Sequence, residues 1–211
     1  MTTDDWSAQL TARVAEQIRA ARKAAGLTVA ETADACAALG APVQKTTITN
    51  LETGRRASVD LAELLVLARV LGVPPVALLF PLGSAPTVEV LPGREVPVWD
   101  GLAWFTGETP LRAPAPENSA RHLLDTFRAH SDAVATAIAS TELAKERRRK
   151  ATTTLDPARR AALLEVAASY EELAAEDRRE LRALRQRMRE NGLQPPPLPD
   201  EVRTAESEDA R

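Results

Sequence analysis

The stretch that decides the fold of the N-terminal part runs from residue 43 to residue 56 and reads VQKTTITNLETGRR. Ile48 and Leu51 lie three residues apart, so a helix places both on one face. Gly54 follows them, and glycine commonly ends a helix in the left-handed conformation. The stretch therefore predicts a short helix over residues 45–53 that buries its apolar face. Four polar side chains remain on the outer face of that helix: Lys45, Thr46, Thr49 and Asn50.

Two helices are predicted before this stretch. Val14 and Ile18 lie four residues apart in a run that gives the first helix one apolar face. Gly26 ends that helix. Thr28 and Glu31 have the spacing of a capping box, in which the hydroxyl caps the new helix and the carboxylate reaches back. This second helix is expected to reach about residue 39.

Two further helices are predicted after the stretch. Asp60 and Glu63 have the spacing of another capping box, which opens a helix over residues 61–71. A proline pair then leads into a last short helix that ends near Pro81. Together the patterns predict a five-helix domain over residues 7–81.

Residues 82–116 differ from the helical region in their proline and glycine content. Two β-like runs, 87–91 and 96–99, flank Pro92 and Gly93, which together favour a turn. We therefore predict an irregular linker with short extended segments. Three aromatic residues of the linker are expected to pack against the helical domain rather than line a ligand pocket: Trp99, Trp104 and Phe105.

Residues 117–191 are rich in Ala, Leu, Glu and Arg and read as two long helices. Asp156 and Pro157 break them, the first as a cap and the second as an opening helical residue. A helical hairpin or coiled-coil region follows from this pattern. Residues 192–211 combine a proline run with acidic residues and are expected to form a disordered acidic tail.

The apolar seams of the two long helices differ in length. The first carries Phe127, Val134 and Ile138, preceded by Leu124, and ends at a basic run. The second continues through three more apolar residues, Leu181, Leu184 and Met188. These are expected to lack a partner in the first helix, which motivates a homodimer.

Composition excludes several classes of protein. The chain has 211 residues, with 27 basic and 30 acidic side chains and a net charge of -3. That balance argues against a protein that coats nucleic acid over its whole surface, but it leaves room for a local docking face. The single cysteine, Cys36, cannot form an internal disulfide. Since Arg69 and two prolines interrupt the most apolar stretch, we expect no membrane span and a cytoplasmic protein.

The sequence holds no glycine-rich phosphate loop, no Ser/His/Asp arrangement and no Cys/His zinc spacing. His122 and His130 lie too far apart along one helix to share a metal easily. We therefore predict no enzyme, no cofactor and no metal site.

The N-terminal part of the chain resembles the Cro/CI-type, or xenobiotic-response-element, family of helix-turn-helix regulators, in its actinobacterial form. The resemblance spans roughly residues 10–81 and rests on Arg22, on residues 26–28, on VQKTTITNLETGRR and on the Leu-rich run that ends at Leu79. The segment from Val96 to Gly107 also resembles one that follows this domain in many actinobacterial regulators.

The resemblance implies an all-α fold with a repressor-like, five-helix helix-turn-helix domain. Residues 45–53 would be the recognition helix, and residues 28–39 would lie across the DNA backbone. Arg22 and Glu52 would form a structural pair. The residues that would contact DNA are Thr28, Gln44, Lys45, Thr46, Thr47, Thr49, Asn50, Arg55 and Arg56.

Two departures accompany the resemblance. The connection from Thr28 to Ile48 is longer than the family's usual spacing, and Val29 stands where a phosphate-contacting glutamine is common. Two purely structural interpretations remain open. The polar outer face of residues 45–53 would be a solvated helix face, and Arg55 and Arg56 would complement a helix dipole. For the basic run 147–150, a solvated helix end is favoured over a second DNA contact.

The sequence thus predicts a sequence-specific transcriptional regulator, a repressor, that binds double-stranded DNA as a homodimer. The alternative is an antitoxin-like or adaptor module that binds a protein partner through residues 117–191.

Overall fold

The computed structural model of the chain describes residues 3–108, 116–117 and 119–203. The chain divides into two compact units, Met1–Pro110 and Leu111–Arg211. None of the helices in the described ranges is long and apolar enough to cross a membrane. The predicted fold class is confirmed: a helical N-terminal region, a short two-stranded segment and long C-terminal helices.

The first unit opens with five helices in the predicted order: α1 (Thr3–Ala24), α2 (Val29–Ala38), α3 (Lys45–Glu52), α4 (Leu61–Leu71) and α5 (Pro75–Leu79). Local capping explains where two of them begin. Thr28 and Glu31 form the reciprocal capping box at the start of α2. The Asp60 carboxylate accepts hydrogen bonds from the backbone N–H groups of residues 62 and 63 at the start of α4.

The five helices surround one apolar core. Ile18 of α1, Ile48 and Leu51 of α3, and Leu67 of α4 are almost completely buried in it. Cys36 of α2 is buried in the same core, and this burial raises the pKa of its thiol. The cysteine therefore packs as a small hydrophobic residue.

The segment expected to be an irregular linker folds as part of the first unit. Strands β1 (Thr87–Leu91) and β2 (Arg94–Pro97) pair antiparallel, and helix α6 (Val98–Thr106) follows directly. The predicted β-like run at 96–99 is therefore wrong at its C-terminal end, because Val98 already begins α6. Val98 and Leu102 lie four residues apart and pack with Phe80 and Val88 in a second small core.

The expectation for the linker aromatics is wrong for two of the three. Trp99 and Trp104 are 63% and 43% exposed, and Phe105 is 55% exposed. Within the described ranges, Phe105 is the one of the three whose ring contacts another aromatic ring, that of Phe80 at a centroid distance of 5.5 Å. Aliphatic side chains of α6, rather than its tryptophans, hold this helix against the β-hairpin.

The second unit is built on two helices of 34 residues, α7 (Ala120–Thr153) and α8 (Pro157–Glu190). They run antiparallel, since His130, Thr141 and Arg148 of α7 contact Arg185, Arg178 and Glu171 of α8, respectively. The break between them lies at Asp156 and Pro157 as predicted, with the Asp156 carboxylate capping α8.

The buried row of this hairpin differs from the expected apolar seams. Buried residues recur every seven positions along both helices, as in a coiled coil. Most of them are alanines, whose small side chains let the helices approach closely. The rows comprise His130, Ala137, Ala144 and Ala151 of α7, and Ala167, Ala174, Leu181 and Met188 of α8.

The prediction of a disordered tail from residue 192 is wrong for residues 192–203. Leu198 and Val202 are buried in a cluster with Ala137 and Leu181. The Arg185 guanidinium donates a hydrogen bond of 2.7 Å to the carbonyl oxygen of Pro196. Residues 204–211 of the predicted tail lie outside the described residues.

This packing overturns the sequence argument for a dimer. Leu181 and Met188 were expected to lack a partner, yet they are 0% and 1% exposed within the chain. Val134 and Ile138 of α7 pack against the cluster that contains Leu198 and Val202. The chain therefore covers most of this apolar surface with its own C-terminal segment.

Candidate nucleic-acid interface

The outer face of α3 carries small polar side chains on a helix that is firmly anchored. Ile48 and Leu51 are 0% and 1% exposed and fix the inner face of α3 in the core. The side chains of the outer face divide by exposure. Lys45, Thr46 and Thr49 are exposed, whereas Thr47 and Asn50 are half-buried. An anchored helix with a short polar outer face has the shape and chemistry that the DNA major groove admits.

Arg22 and Glu52 tie α3 to α1. The Arg22 guanidinium donates from Nε to Oε1 and from Nη2 to Oε2 of Glu52, each at 2.7 Å. Its Nη1 donates to the carbonyl oxygen of Leu27 at 2.8 Å. The hydrogen bonds to Glu52 raise the pKa of Arg22. One side chain thus holds the end of α3 and the turn before α2 in fixed positions.

Thr28 lies at the start of α2, where part of its hydrogen-bonding capacity is already used. Its hydroxyl oxygen accepts from the Glu31 N–H at 3.2 Å, and its own N–H donates to the Glu31 carboxylate at 2.7 Å. These hydrogen bonds lower the pKa of Glu31. The hydroxyl hydrogen of Thr28 is not needed for the cap and can be donated to a phosphate oxygen. The neighbouring Glu31 carboxylate opposes such an anion.

The connection between α2 and α3 absorbs the extra length noted in the sequence. It spans residues 39–44, whereas the turn of a helix-turn-helix typically has three or four residues. Gly40 adopts a positive φ of 76°, and Val43 is buried at 6% exposure. Gln44 ends the connection as the N-cap residue of α3 without a side-chain capping bond. Its exposed amide therefore stays available at the leading end of α3.

The two arginines after α3 have different environments. Arg55 is exposed, and its backbone N–H donates to the Asn50 carbonyl oxygen at 2.8 Å. The Arg56 side chain instead pairs with the Glu63 carboxylate of α4 at 2.6 Å. Arg56 is therefore already engaged in holding the loop against α4.

The side-chain contact of Glu63 was not predicted from the sequence. Its spacing from Asp60 predicted a side chain that reaches back to the cap, but it turns to Arg56 instead. The ion pair links residues seven positions apart across a loop, and no helical spacing signals it. The opposite charges and the short separation are the only sequence hints.

The structure brings the predicted DNA-contacting residues together around α3 and its two flanks. Thr28 precedes α2, Gln44 caps the start of α3, Lys45 to Asn50 lie on α3, and Arg55 and Arg56 follow it. Among the residues that the structure describes, no cluster of three or more His, Cys, Asp or Glu side chains has the arrangement of a metal site. The surface offers hydroxyls, amides and cations, which recognise nucleic acid.

Comparison with known proteins gives a match to the first five helices. Residues 13–79 match the family model described as a helix-turn-helix domain, a range that begins within α1 and ends with α5. No curated protein and no solved structure gives a significant match to the chain. Residues 13–79 are therefore similar to a helix-turn-helix domain, which supports an assignment to DNA binding.

Proposed function

We propose that the chain is a sequence-specific transcriptional regulator of the Cro/CI type that inserts α3 into the major groove of double-stranded DNA. The observation that carries the proposal is the contrast between the two faces of α3. Its inner face is locked by Ile48, Leu51 and the Arg22–Glu52 pair. Its outer face leaves hydroxyls, an amide and a lysine for an external partner.

Each polar side chain then has a role that its chemistry suits. The amides of Gln44 and Asn50 match the donor and acceptor pattern of adenine, and Lys45 matches the acceptors of guanine. The threonines contact either base edges or thymine methyl groups. Arg55 and the Thr28 hydroxyl bind phosphate, which positions α3 without reading sequence.

The proposal includes a homodimer on DNA. The eight residues of α3 extend over about 12 Å at the rise of an α-helix. One turn of B-DNA is about 34 Å long, so a single α3 reads only part of a turn. Two copies on two half-sites supply the specificity that one short helix lacks. Because Leu181 and Met188 are buried within the chain, they are not available for the dimer contact.

We also propose that the protein represses transcription by occupying sites that overlap promoters. The test is genome-wide mapping of bound DNA together with transcript levels in a deletion strain. We expect bound promoters to become more active when the protein is removed. Reduced activity at those promoters would contradict repression, and an absence of bound sites would contradict the regulator itself.

A second function has its own supporting observation. In the second unit, the large apolar residues Leu124, Val166 and Leu173 are 47%, 45% and 47% exposed. Such residues suit an antitoxin-like or adaptor role in which the hairpin binds a protein partner. Purification of a stoichiometric partner that no longer binds after Leu124→Ser and Leu173→Ser would support this role.

A further inference from the structure

The end of the hairpin where α7 meets α8 carries a dense group of cations. We define the hairpin tip as residues 145–160, which hold seven basic and two acidic side chains. This excess contrasts with the net charge of -3 for the whole chain. The basic members are Lys145, Arg147, Arg148, Arg149, Lys150, Arg159 and Arg160.

The helix dipole does not explain this group. Cations stabilise the last turn of a helix and are unfavourable at its first turn. Of the seven cations, Lys150 is the one that lies in the last turn of α7, where the dipole favours it. Arg159 and Arg160 lie in the first turn of α8, where the dipole opposes them. The tip therefore keeps cations at a position where helix stability alone disfavours them.

Structural contacts account for four of the seven cations. Lys145 pairs with Glu142 at 2.9 Å, and Arg148 pairs with Glu171 at 3.1 Å. The Arg147 guanidinium lies over the Tyr170 ring at 5.3 Å. The Arg160 side chain donates to the Thr154 carbonyl oxygen at 2.8 Å and holds the loop between the helices.

The remaining three cations are Arg149, Lys150 and Arg159. All three are exposed, and within the described part of the chain none forms an ion pair or a side-chain hydrogen bond. The hydroxyls beside them do not serve as partners, because Thr152 and Thr153 donate to the Arg149 carbonyl oxygen. Three hydrated charges thus face solvent at one end of the hairpin.

We propose that the hairpin tip binds the phosphate backbone of duplex DNA through Arg149, Lys150 and Arg159. This inference rests on the proposed function, since the helix-turn-helix domain brings the same chain to DNA. Duplex DNA carries one negative charge per about 1.7 Å of its axis, and cations that contact it release condensed counterions. Covalent linkage to a DNA-bound domain raises the effective concentration of phosphate around the tip.

The tip suits DNA better than an acidic protein. Protein interfaces need a buried apolar or aromatic centre, and Leu155 is the one large exposed hydrophobic residue among the described residues 145–160. DNA interfaces are instead polar and strongly positive. The tip has the second composition. An acidic protein as the partner would make the tip irrelevant to DNA affinity, and the experiment below separates the two.

The experiment measures the salt dependence of binding to a fluorescent duplex of mixed sequence, long enough for both the helix-turn-helix domain and the tip. The test variant of the full chain combines Arg149→Gln, Lys150→Gln and Arg159→Gln. A matched control combines Arg179→Gln, Arg187→Gln and Arg189→Gln, which removes the same charge from exposed positions of α8 away from the tip. Far-UV circular dichroism checks that both variants keep the helical hairpin.

The plot of log affinity against log salt has a negative slope. We expect this slope to become shallower by about one for each phosphate that the variant no longer neutralises, or by about three for the test variant. The control should retain nearly the slope of the unmodified chain. Equal slopes for the test and control variants would overturn the proposal for the tip while leaving the helix-turn-helix function intact. Absence of any salt-dependent binding by the unmodified chain would overturn both.

Discussion

Arg22 of α1 and Glu52 of α3 are joined by two parallel hydrogen bonds, Nε to Oε1 and Nη2 to Oε2, each 2.7 Å long. Their side chains are 12% and 8% exposed, so water competes little with the pair. A bidentate pair of this kind fixes both distance and orientation. The pair ties α3 to α1, and the proposed reading of bases depends on a fixed position of α3.

Loss of this pair should destabilise the first unit. In Glu52→Ala the Arg22 charge keeps only its bond to the Leu27 carbonyl, and breaking a buried pair from one side costs about 3 kcal/mol. All three tryptophans, Trp6, Trp99 and Trp104, lie in the first unit, so urea unfolding followed by tryptophan fluorescence reports on it alone. As a control, Glu142→Ala removes an exposed ion pair of α7 and should leave this transition in place. A Glu52→Ala transition that coincides with that of the control would contradict the structural role of the pair.

The two arginines after α3 should behave differently when replaced. Arg55→Ala removes a proposed phosphate contact, so it should weaken binding to all duplexes alike and lower the salt slope by about one. Arg56→Ala removes the partner of Glu63. Since that pair is partly exposed, its loss should cost up to about 1 kcal/mol of stability and leave the slope nearly unchanged. Fluorescence anisotropy over a salt series measures both slopes, and a larger slope change for Arg56→Ala would reverse the assignment.

Gly101 should tolerate no side chain. A Cβ built at this position lies 2.8 Å from Val90 Cγ1 and 3.0 Å from Val88 Cγ1. Gly101→Ala should therefore overpack the contact between α6 and the β-hairpin and destabilise the first unit by about 1–3 kcal/mol. Asp100→Ala, at an exposed position of the same helix, is the control. Tryptophan-monitored unfolding that is unchanged by Gly101→Ala would show that α6 does not pack as described.

Acid should destabilise the second unit through His130. This residue is 2% exposed, and the Arg185 Nη1 donates to its Nε2 at 2.7 Å. Burial, and secondly the Arg185 charge, lower the pKa of His130. Below about pH 6.5 the unfolded chain therefore takes up a proton that the folded hairpin resists, so stability falls as pH falls through that range.

The measurement is thermal unfolding by circular dichroism from about one pH unit above to one pH unit below the ordinary histidine pKa. The transition absent from tryptophan fluorescence belongs to the second unit. His130→Gln should flatten the pH dependence of that transition over this interval. An identical pH dependence in the variant would mean that other groups cause the acid sensitivity.

Local signals made most of the helix boundaries predictable. Thr28, Asp60, and the Asp156–Pro157 step cap or open helices through hydrogen bonds within a few residues, and sequence records such contacts directly. The face of α3 was predictable for the same reason, because Ile48 and Leu51 carry the helical period. The roles of its outer residues remain predictions.

Contacts between distant segments were not predictable. Val98 and Trp99 favour strands by propensity. A helix forms there because it places Val98 in the core around Phe80. The proline-rich composition after residue 192 suggested disorder, but Leu198 packs against Ala137 of α7 and Leu181 of α8, which only the folded hairpin brings together. In both cases tertiary packing overrides a correct local preference, and a single sequence does not record the packing partner.

The most direct test of the central claim is selection of bound duplexes from a random-sequence library by the full chain and by Asn50→Ala. We expect the unmodified chain to enrich two half-sites related by two-fold symmetry. Asn50→Ala should relax preference at one base-pair position in each half-site, at a cost of about 1–3 kcal/mol for the preferred base. Lys45→Ala is selected in the same way. Base reading by α3 would be contradicted if the unmodified chain enriched no common motif, or if both Asn50→Ala and Lys45→Ala enriched the same motif as the unmodified chain.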